Sequence, residues 1–350
     1  MQARASAGET RGEAPRGTTV RAFLDGLVGE WERSRQVRGF LYDNRIGEDS
    51  AIVSDAGLQQ MLWNVLDNAL EASRSRVVLR AAREGLIEPV LVPPRARLLA
   101  VAQEAGLDLA DIAIEDVPHS HAAAARAVAL VLEGRVQALM KGSLHTDELM
   151  AAVVASQGGL RTKRRVSHCF LMQTPAYPRP FIITDAAVNI APTLSEKADI
   201  VRNAIDLAHA IGVAEPRVAI LAAVETVNPT MPATLDAAAL CKMADRGQIT
   251  GGLLDGPLAF DNAVSMAAAH TKGIVSEVAG RADILVVPDL ESGNMLAKQL
   301  EFMGSAASAG IVLGARVPIV LTSRADSRET RIASCAVAVL LAHRYKVLPP

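Results

Sequence analysis

Residues Ile284–Arg331 read ILVVPDLESGNMLAKQLEFMGSAASAGIVLGARVPIVLTSRADSRETR, and the fold turns on how this stretch is divided. It holds two apolar, β-branched runs, ILVVP (284–288) and PIVLTS (318–323). Runs without polar alternation fit strands buried on both faces of a parallel sheet. Each run breaks into a polar segment. The first gives Pro288-Asp289-Leu290-Glu291-Ser292-Gly293-Asn294 and then a helix bearing Lys298. The second gives Thr322-Ser323-Arg324-Ala325-Asp326-Ser327 and then a helix bearing Glu329. In open α/β sheets ligands are met at the carboxyl ends of strands, beside helix N-termini that favour anions. A Gly-Asn turn, a lysine and a Ser-Arg pair at two such ends suit a phosphorylated substrate; a plain capped turn is the competing reading. Between the two runs, Gly310 and Gly314 in AGIVLGARVP read as tight turns or points of close backbone approach.

Outward from this stretch, strands and helices alternate. Strands are predicted over 86–92, 112–114 and 138–140, with helices over 95–105 and 119–133. The third strand ends in Lys141-Gly142-Ser143-Leu144-His145-Thr146, which sets a lysine beside a glycine where a ligand would approach. His119 and His121, two residues apart, do not share a helix face and read as polar residues at a helix start rather than a metal pair. GGLRTKRR (158–165) reads as a basic, solvated link and a domain boundary. A second α/β unit opens at Ser167-His168-Cys169, with strands over 181–184 and 217–224. Helices are predicted over 195–211, with Ser195 as its cap, and over 235–246. Carboxylates recur where apolar strands stop: Asp185, Glu225, Asp255 and Asp289. One alone is usually a loop cap, but four suggest a shared cleft. An acidic cluster can also take a metal, yet no ligand spacing singles one out. The pattern predicts doubly wound parallel sheets.

The 350 residues can bury a large core and predict two domains. Half of them are hydrophobic but only 3% aromatic, an Ala/Val/Leu/Ile-rich α/β composition. A formal charge of −2 gives no electrostatic basis for binding nucleic acid or an anionic membrane. Cys169, Cys241 and Cys335 fit no metal spacing and read as free core thiols of a reducing compartment. No apolar run approaches the length of a membrane span. These features predict a soluble, cytoplasmic protein. At the N-terminus, residues 1–19 lack periodicity and read as a disordered tail, and 20–38 read as an amphipathic helix.

Two resemblances follow. GLQQMLWNVLDNALEAS (57–73) resembles the N-box helix of sensor histidine kinases, where residues matching Asn64 and Asn68 contact nucleotide and Mg²⁺. The glycine-rich boxes of such an ATP site do not follow, so a remnant or fusion scar is the preferred reading of 20–78. The longer resemblance runs from about Leu79 to Leu341. It rests on MKGSLHT (140–146), TDAAVNIAP (184–192), NPTMPAT (228–234), DGPLAFDN (255–262), Pro288–Asn294 with Lys298, Ala309–Gly314 and LTSRADS (321–327). In these motifs the chain resembles phosphate acetyl/butyryltransferases, closest to the phosphotransbutyrylase-like type often attached to enoyl-CoA hydratase domains.

That resemblance implies two α/β domains with an interdomain cleft, as in isocitrate dehydrogenase folds, and commonly a homodimer. The first domain would be 79–160 completed by 311–350, and the second 161–310. It implies acyl-CoA + phosphate ⇌ acyl phosphate + CoA, with no cofactor beyond these substrates. Arg324 is the first choice for an anion-holding fork, and Ser323 for a donor to the charged carbonyl oxygen. A general base for the CoA thiol is expected just beyond them; Asp326 and Glu329 are the candidates, and a more distal alignment falls on Thr330, which leaves the base unassigned. Lys141, Gly142, His145, Thr146, Asp185, Asn189, Glu225, Asp255, Gly293, Asn294 and Lys298 are the substrate-binding candidates. The displaced N-terminal unit supplies an alternative: a catalytically impaired fusion product that folds partly and dimerises through 161–310. An NAD-dependent dehydrogenase is disfavoured because no G-x-G-x-x-G follows the first strand.

Overall fold

The structure is a computed structural model. It describes residues 16–19, 51–54, 81–82, 85–104, 106–142, 144–321 and 326–350. The chain divides into two units, residues 1–76 with 102–108, and residues 77–101 with 109–350. In the first unit, strands β1 (Arg16–Thr19) and β2 (Ala51–Ser54) pair antiparallel. The end of the segment expected to be a disordered tail is therefore taken up in a strand; Thr18 and Thr19 are β-branched residues that suit one. The kinase-like helix at 57–73 lies outside the described residues.

The remaining elements belong to the second unit, apart from the last residues of α1, which the division assigns to the first. These are β3 (Val90–Leu91), α1 (Arg95–Glu104), β4 (Ala113–Ile114), α2 (Ser120–Leu132), β5 (Leu139–Met140), α3 (Thr146–Val153), β6 (Ser167–Gln173) and β7 (Phe181–Thr184). Then come α4 (Leu194–Ala210), β8 (Arg217–Leu221), α5 (Pro232–Asp245), β9 (Leu253–Leu258), α6 (Phe260–Val264) and α7 (Met266–Thr271). The last are β10 (Ile284–Val286), α8 (Leu290–Met303), β11 (Ala307–Leu313), β12 (Ile319–Val320) and α9 (Arg328–Val347).

Eight strands form one sheet in the order β5-β12-β11-β6-β7-β10-β8-β9, while β3 and β4 pair parallel in a sheet of their own. The α/β class is as expected, but the sheet is mixed. Strands β7, β10, β8 and β9 run parallel, as do β5 and β12, and the two blocks meet through antiparallel β12-β11-β6-β7 pairings. The departure has a local cause. AGIVLGARVP is a strand followed by a turn, so β11 doubles back into β12, and the short link 174–180 doubles β6 back into β7. Antiparallel neighbours can be joined by tight turns, whereas parallel ones need a crossover.

The central strands are apolar on both faces because both are covered. Ile284 and Val286 of β10 pack in one cluster with Ile182, Val218 and Leu207 of α4. Leu285 and Val287 point to the opposite cluster with Ile183, Leu221 and Ala297 of α8. This period-2 split between two cores is why ILVV carries no polar residue. Asp255, expected where a strand stops, lies with Gly256 and Pro257 inside β9, which is an edge strand where proline and glycine are tolerated. Helix α4 is capped two residues sooner than expected, at Thr193 rather than Ser195. The Thr193 hydroxyl accepts from Glu196 N–H and the Glu196 carboxylate accepts from Thr193 N–H, a reciprocal cap. The basic run at 158–165 is not simply solvated either. Leu160 is fully buried, Arg164 pairs with Asp206, and Arg165 pairs with Glu196 at 3.1 Å.

Ile284 registers against Ile182 on one side and Val218 on the other, and its side chain is fully buried. Ile284→Ala is predicted to destabilise the fold by about 2–5 kcal/mol. Chemical denaturation would read this as a lower midpoint with an unchanged m-value.

Candidate active site

The strand ends converge on a cleft of about 540 Å³. Four segments supply its polar wall. Lys141 follows β5; His145 and Thr146 open α3; Asn294 and Lys298 lie on α8; and Asp326 precedes α9. The apolar wall comes from Leu144, Phe170, Ala187 and Leu321, with His168 beside them. Leu321 and Asp326 flank Ser323 and Arg324 in sequence, but Ser323 and Arg324 lie outside the described residues.

Each polar residue is held by its own element. Lys141 is buried, and its backbone N–H donates to Val320 O at 2.9 Å, extending the β5–β12 pairing by one residue. Gly142 follows it directly. His145 is the N-cap residue of α3, its side chain makes no capping bond, and the residue borders the cleft. Lys298 is steadied by Glu301, 2.7 Å away, whose other oxygen accepts from Ser308 Oγ at 2.6 Å. The ammonium also lies 5.7 Å from the Phe170 ring centroid, in cation–π range.

Gly293 is structural. A Cβ there would sit 2.6 Å from the Asp185 carbonyl oxygen and 2.7 Å from Val287 Cγ2, so only glycine lets α8 approach the loop after β7. Asn294 Nδ2 completes that contact by donating to Ala186 O at 3.2 Å.

The strand-end carboxylates do not share the cleft. Asp185 is buried and accepts from the N–H groups of Ala187, Val188 and Asn189 at 2.9, 3.0 and 3.2 Å, and from Asn189 Nδ2. Burial pushes its carboxyl above the ordinary value, against the downward pull of these donors. Asn189 is also buried; it donates to Val166 O and accepts from Arg165 Nε at 2.7 Å. Asp185 and Asn189 thus shape the loop rather than line the cavity. Asp289 caps α8 through Ser292 N–H at 2.8 Å, and Asp255 accepts from Gly256 N–H. Glu225 faces Lys272 at 3.5 Å and Asn262 Nδ2 at 3.4 Å. These are the ordinary caps and pairs of strand ends, which a sequence pattern cannot tell from ligand groups. Glu329 has a 74% exposed side chain beside Arg328, and Thr330 N–H is taken by the Ser327 cap of α9. His119, outside the cleft, accepts from Ala122 N–H as a helix cap.

His168 is the residue that sequence reading passed over. Strand β6 alternates, so His168 shares a face with Phe170 and Met172, and a lone histidine on an apolar face was the available signal. Burial, reinforced by the Lys298 charge, lowers its pKa to about 3. The imidazole is therefore neutral throughout the physiological range. Burial moves the three thiols the other way, Cys169 and Cys241 to about 12 and Cys335 to about 11, so none is a ready thiolate nucleophile.

Comparison with known proteins agrees with this geometry. Residues 118–339 match the family model described as "Phosphate acetyl/butaryl transferase". The chain belongs to the phosphate acetyl/butyryltransferase family. Its relatives include the phosphate acetyltransferase of Rhizobium meliloti, 66% identical over 266 residues, which are 76% of this chain and 84% of the relative. The phosphate butyryltransferase of Clostridium acetobutylicum is 43% identical over 278 residues, 78% of this chain and 92% of the relative. Among solved structures, a branched-chain phosphotransacylase from Enterococcus faecalis superposes with a TM-score of 0.63 at 32% identity. That match covers 73% of this chain and 98% of the other.

Two outcomes follow from this geometry. Gly293→Ala is predicted to cost about 1–3 kcal/mol, because backbone on one side and Val287 on the other resist the added methyl; a thermal melt checks it. Acidification supplies the second. His168 binds a proton in the unfolded chain below about pH 6.5 but in the folded chain only near pH 3. The unfolded state then holds more protons in that window, so stability falls as pH drops from 6.5 towards 3. Asp185, with its raised pKa, acts in the opposite sense. The difference in melting temperature between wild type and His168→Gln therefore isolates the histidine, and it should move in the variant's favour as pH falls through this window.

Proposed function

We propose that this cleft interconverts short-chain acyl-CoA and phosphate with acyl phosphate and CoA by direct transfer. The observation that carries the reading is the convergence of Lys141, Lys298 and the N-terminal turn of α3 on one cavity, in a chain of this family. Two cations and a helix N-terminus suit phosphate, and the apolar wall suits a short acyl group. A phosphate oxygen attacks the thioester carbonyl, the C–S bond breaks, and CoA leaves. In reverse the CoA sulfur attacks the acyl phosphate carbonyl and the O–C bond to phosphate breaks. Phosphate is itself the nucleophile, so the reaction calls for no protein nucleophile, metal or prosthetic group.

Arg324 is the proposed fork on phosphate and Ser323 the donor to the developing oxyanion. A free thiol near pKa 8.5 benefits from a general base. Of the two carboxylates in range, Asp326 borders the cleft whereas Glu329 is exposed, which favours Asp326. The cleft draws on both proposed domains, 79–160 with 311–350 and 161–310, consistent with an interdomain site. A cytoplasmic homodimer acting on small molecules, without nucleic-acid or membrane partners, completes the reading. Among the described residues no helix is long and apolar enough to cross a membrane.

A second reading, the catalytically impaired fusion that dimerises through 161–310, is favoured by one observation. Strands β3 and β4 pair apart from the main sheet, which leaves the two-residue β5 at its edge.

Thiol release from acetyl-, propionyl- and butyryl-CoA with phosphate separates the two readings. Activity that falls roughly 10²-fold in Arg324→Ala supports acyl transfer. A folded, monodisperse protein with no activity on any of the three supports the impaired fusion. Lys298→Ala should raise KM for phosphate by about 10-fold or more, the loss of one charge-assisted contact.

A further inference from the structure

The cleft contains a buried polar group that the proposed mechanism leaves without work. His168 is 1% exposed, yet it is among the residues that line the cavity. Its Nδ1 is buried with no hydrogen-bond partner among the described residues. Buried polar atoms of native proteins are almost always paired, so an orphan on a cavity wall points to a partner that arrives with the ligand. The strand around it is well satisfied: His168 O accepts from Thr184 Oγ1 at 2.9 Å. Only the ring is left over.

The surroundings say which part of a ligand it meets. The ring stands edge-on to Phe170, with centroids 4.5 Å apart, and on its other side Nε2 would lie 3.1 Å from a Cβ placed at Gly310. It is thus wedged between an aromatic ring and a bare stretch of backbone, with no room to change rotamer freely. Phe170, Ala187, Leu144 and Leu321 line the same cleft, and the Lys298 ammonium lies 5.7 Å from the Phe170 ring centroid. A phosphate dianion is served by the cations, whereas an apolar acyl chain fits against Phe170. The acyl carbonyl lies at the junction of the two.

We propose that His168 is a catalytic residue of this cleft, donating its imidazole N–H to the carbonyl oxygen of the acyl group and stabilising the negative charge that develops there. The inference rests on the acyl-transfer reading above. An imidazole that stays neutral can give its proton's hydrogen bond without giving the proton away, as a site that stabilises an oxyanion requires. Burial and the nearby Lys298 both keep it neutral. The fixed ring orientation makes the donor preorganised.

The test compares wild type with His168→Leu, His168→Asn and His168→Gln, using acetyl-CoA and phosphate. Asparagine presents an amide N–H near the Nδ1 position and glutamine one near Nε2. The expected result is a roughly 10²-fold fall in kcat for His168→Leu, with KM for phosphate within twofold of wild type. One of the two amide variants should recover to within tenfold of wild type. A purely structural role would affect all three alike or track their melting temperatures. Wild-type activity with an equally active His168→Leu would overturn this inference and leave acyl transfer standing; an inactive wild type would overturn both. Where His168→Leu fails to fold, ¹⁵N spectra of the wild-type ring decide. Acetyl phosphate should shift the resonance of the protonated ring nitrogen of His168, and an unmoved resonance under saturating acetyl phosphate overturns the proposal.

Discussion

The contact between α8 and the loop after β7 is the constraint on which the cleft depends. Gly293 lies against the Asp185 carbonyl, Asn294 donates to Ala186, and one turn further along the same helix Lys298 is brought to the cavity. The loop is itself rigid because the buried Asp185 carboxylate gathers three backbone N–H groups and the Asn189 amide. Asn189 in turn holds Arg165 and Val166, which lead into β6 and His168. The helix bearing the cation and the strand bearing the aromatic wall are therefore fixed to one another through a single buried polar hub. Groups that must act together are best placed on elements locked in this way.

Around that hub the energetics divide between a dry interior and a polar rim. The interior is two cores, one on each face of the sheet, built from the alternating residues of β7, β8 and β10. Most polar side chains enter it with partners in hand, though Asn262 Oδ1 has none among the described residues. Asn203 donates to Arg165 O and Ser167 Oγ, and the buried Lys197 pairs with Asp236 at 2.7 Å. His168 Nδ1 also has no partner among the described residues, and His168 lies on the wall of the cavity.

Much of this was legible in the sequence, and for identifiable reasons. ILVVP and FIIT announced strands because continuous β-branched runs have few other uses, and Lys141, His145, Thr146, Asn294, Lys298 and Asp326 do border one cavity. What misled was chemistry shared between binding sites and ordinary loops. Asp185, Asp255 and Asp289 looked like ligand groups because caps and ligands use the same carboxylate at the same strand end. Gly310 and Gly314 read as tight turns or points of close approach, and Gly314 does have a positive φ and lie against Arg165 O, but the apolar run between them is β11, which that reading does not reveal. His168 is not legible in the sequence because the missing partner of its Nδ1 among the described residues shows only in the packing.

A crystal structure of the protein with acetyl phosphate and CoA bound would test the central claim most directly. The account predicts acetyl phosphate in the cleft, with its phosphate oxygens within hydrogen-bond distance of Lys141 or Lys298 and its methyl against Phe170. Acetyl phosphate bound instead at the β8 and β9 ends, on Lys272 beside Glu225, would contradict it.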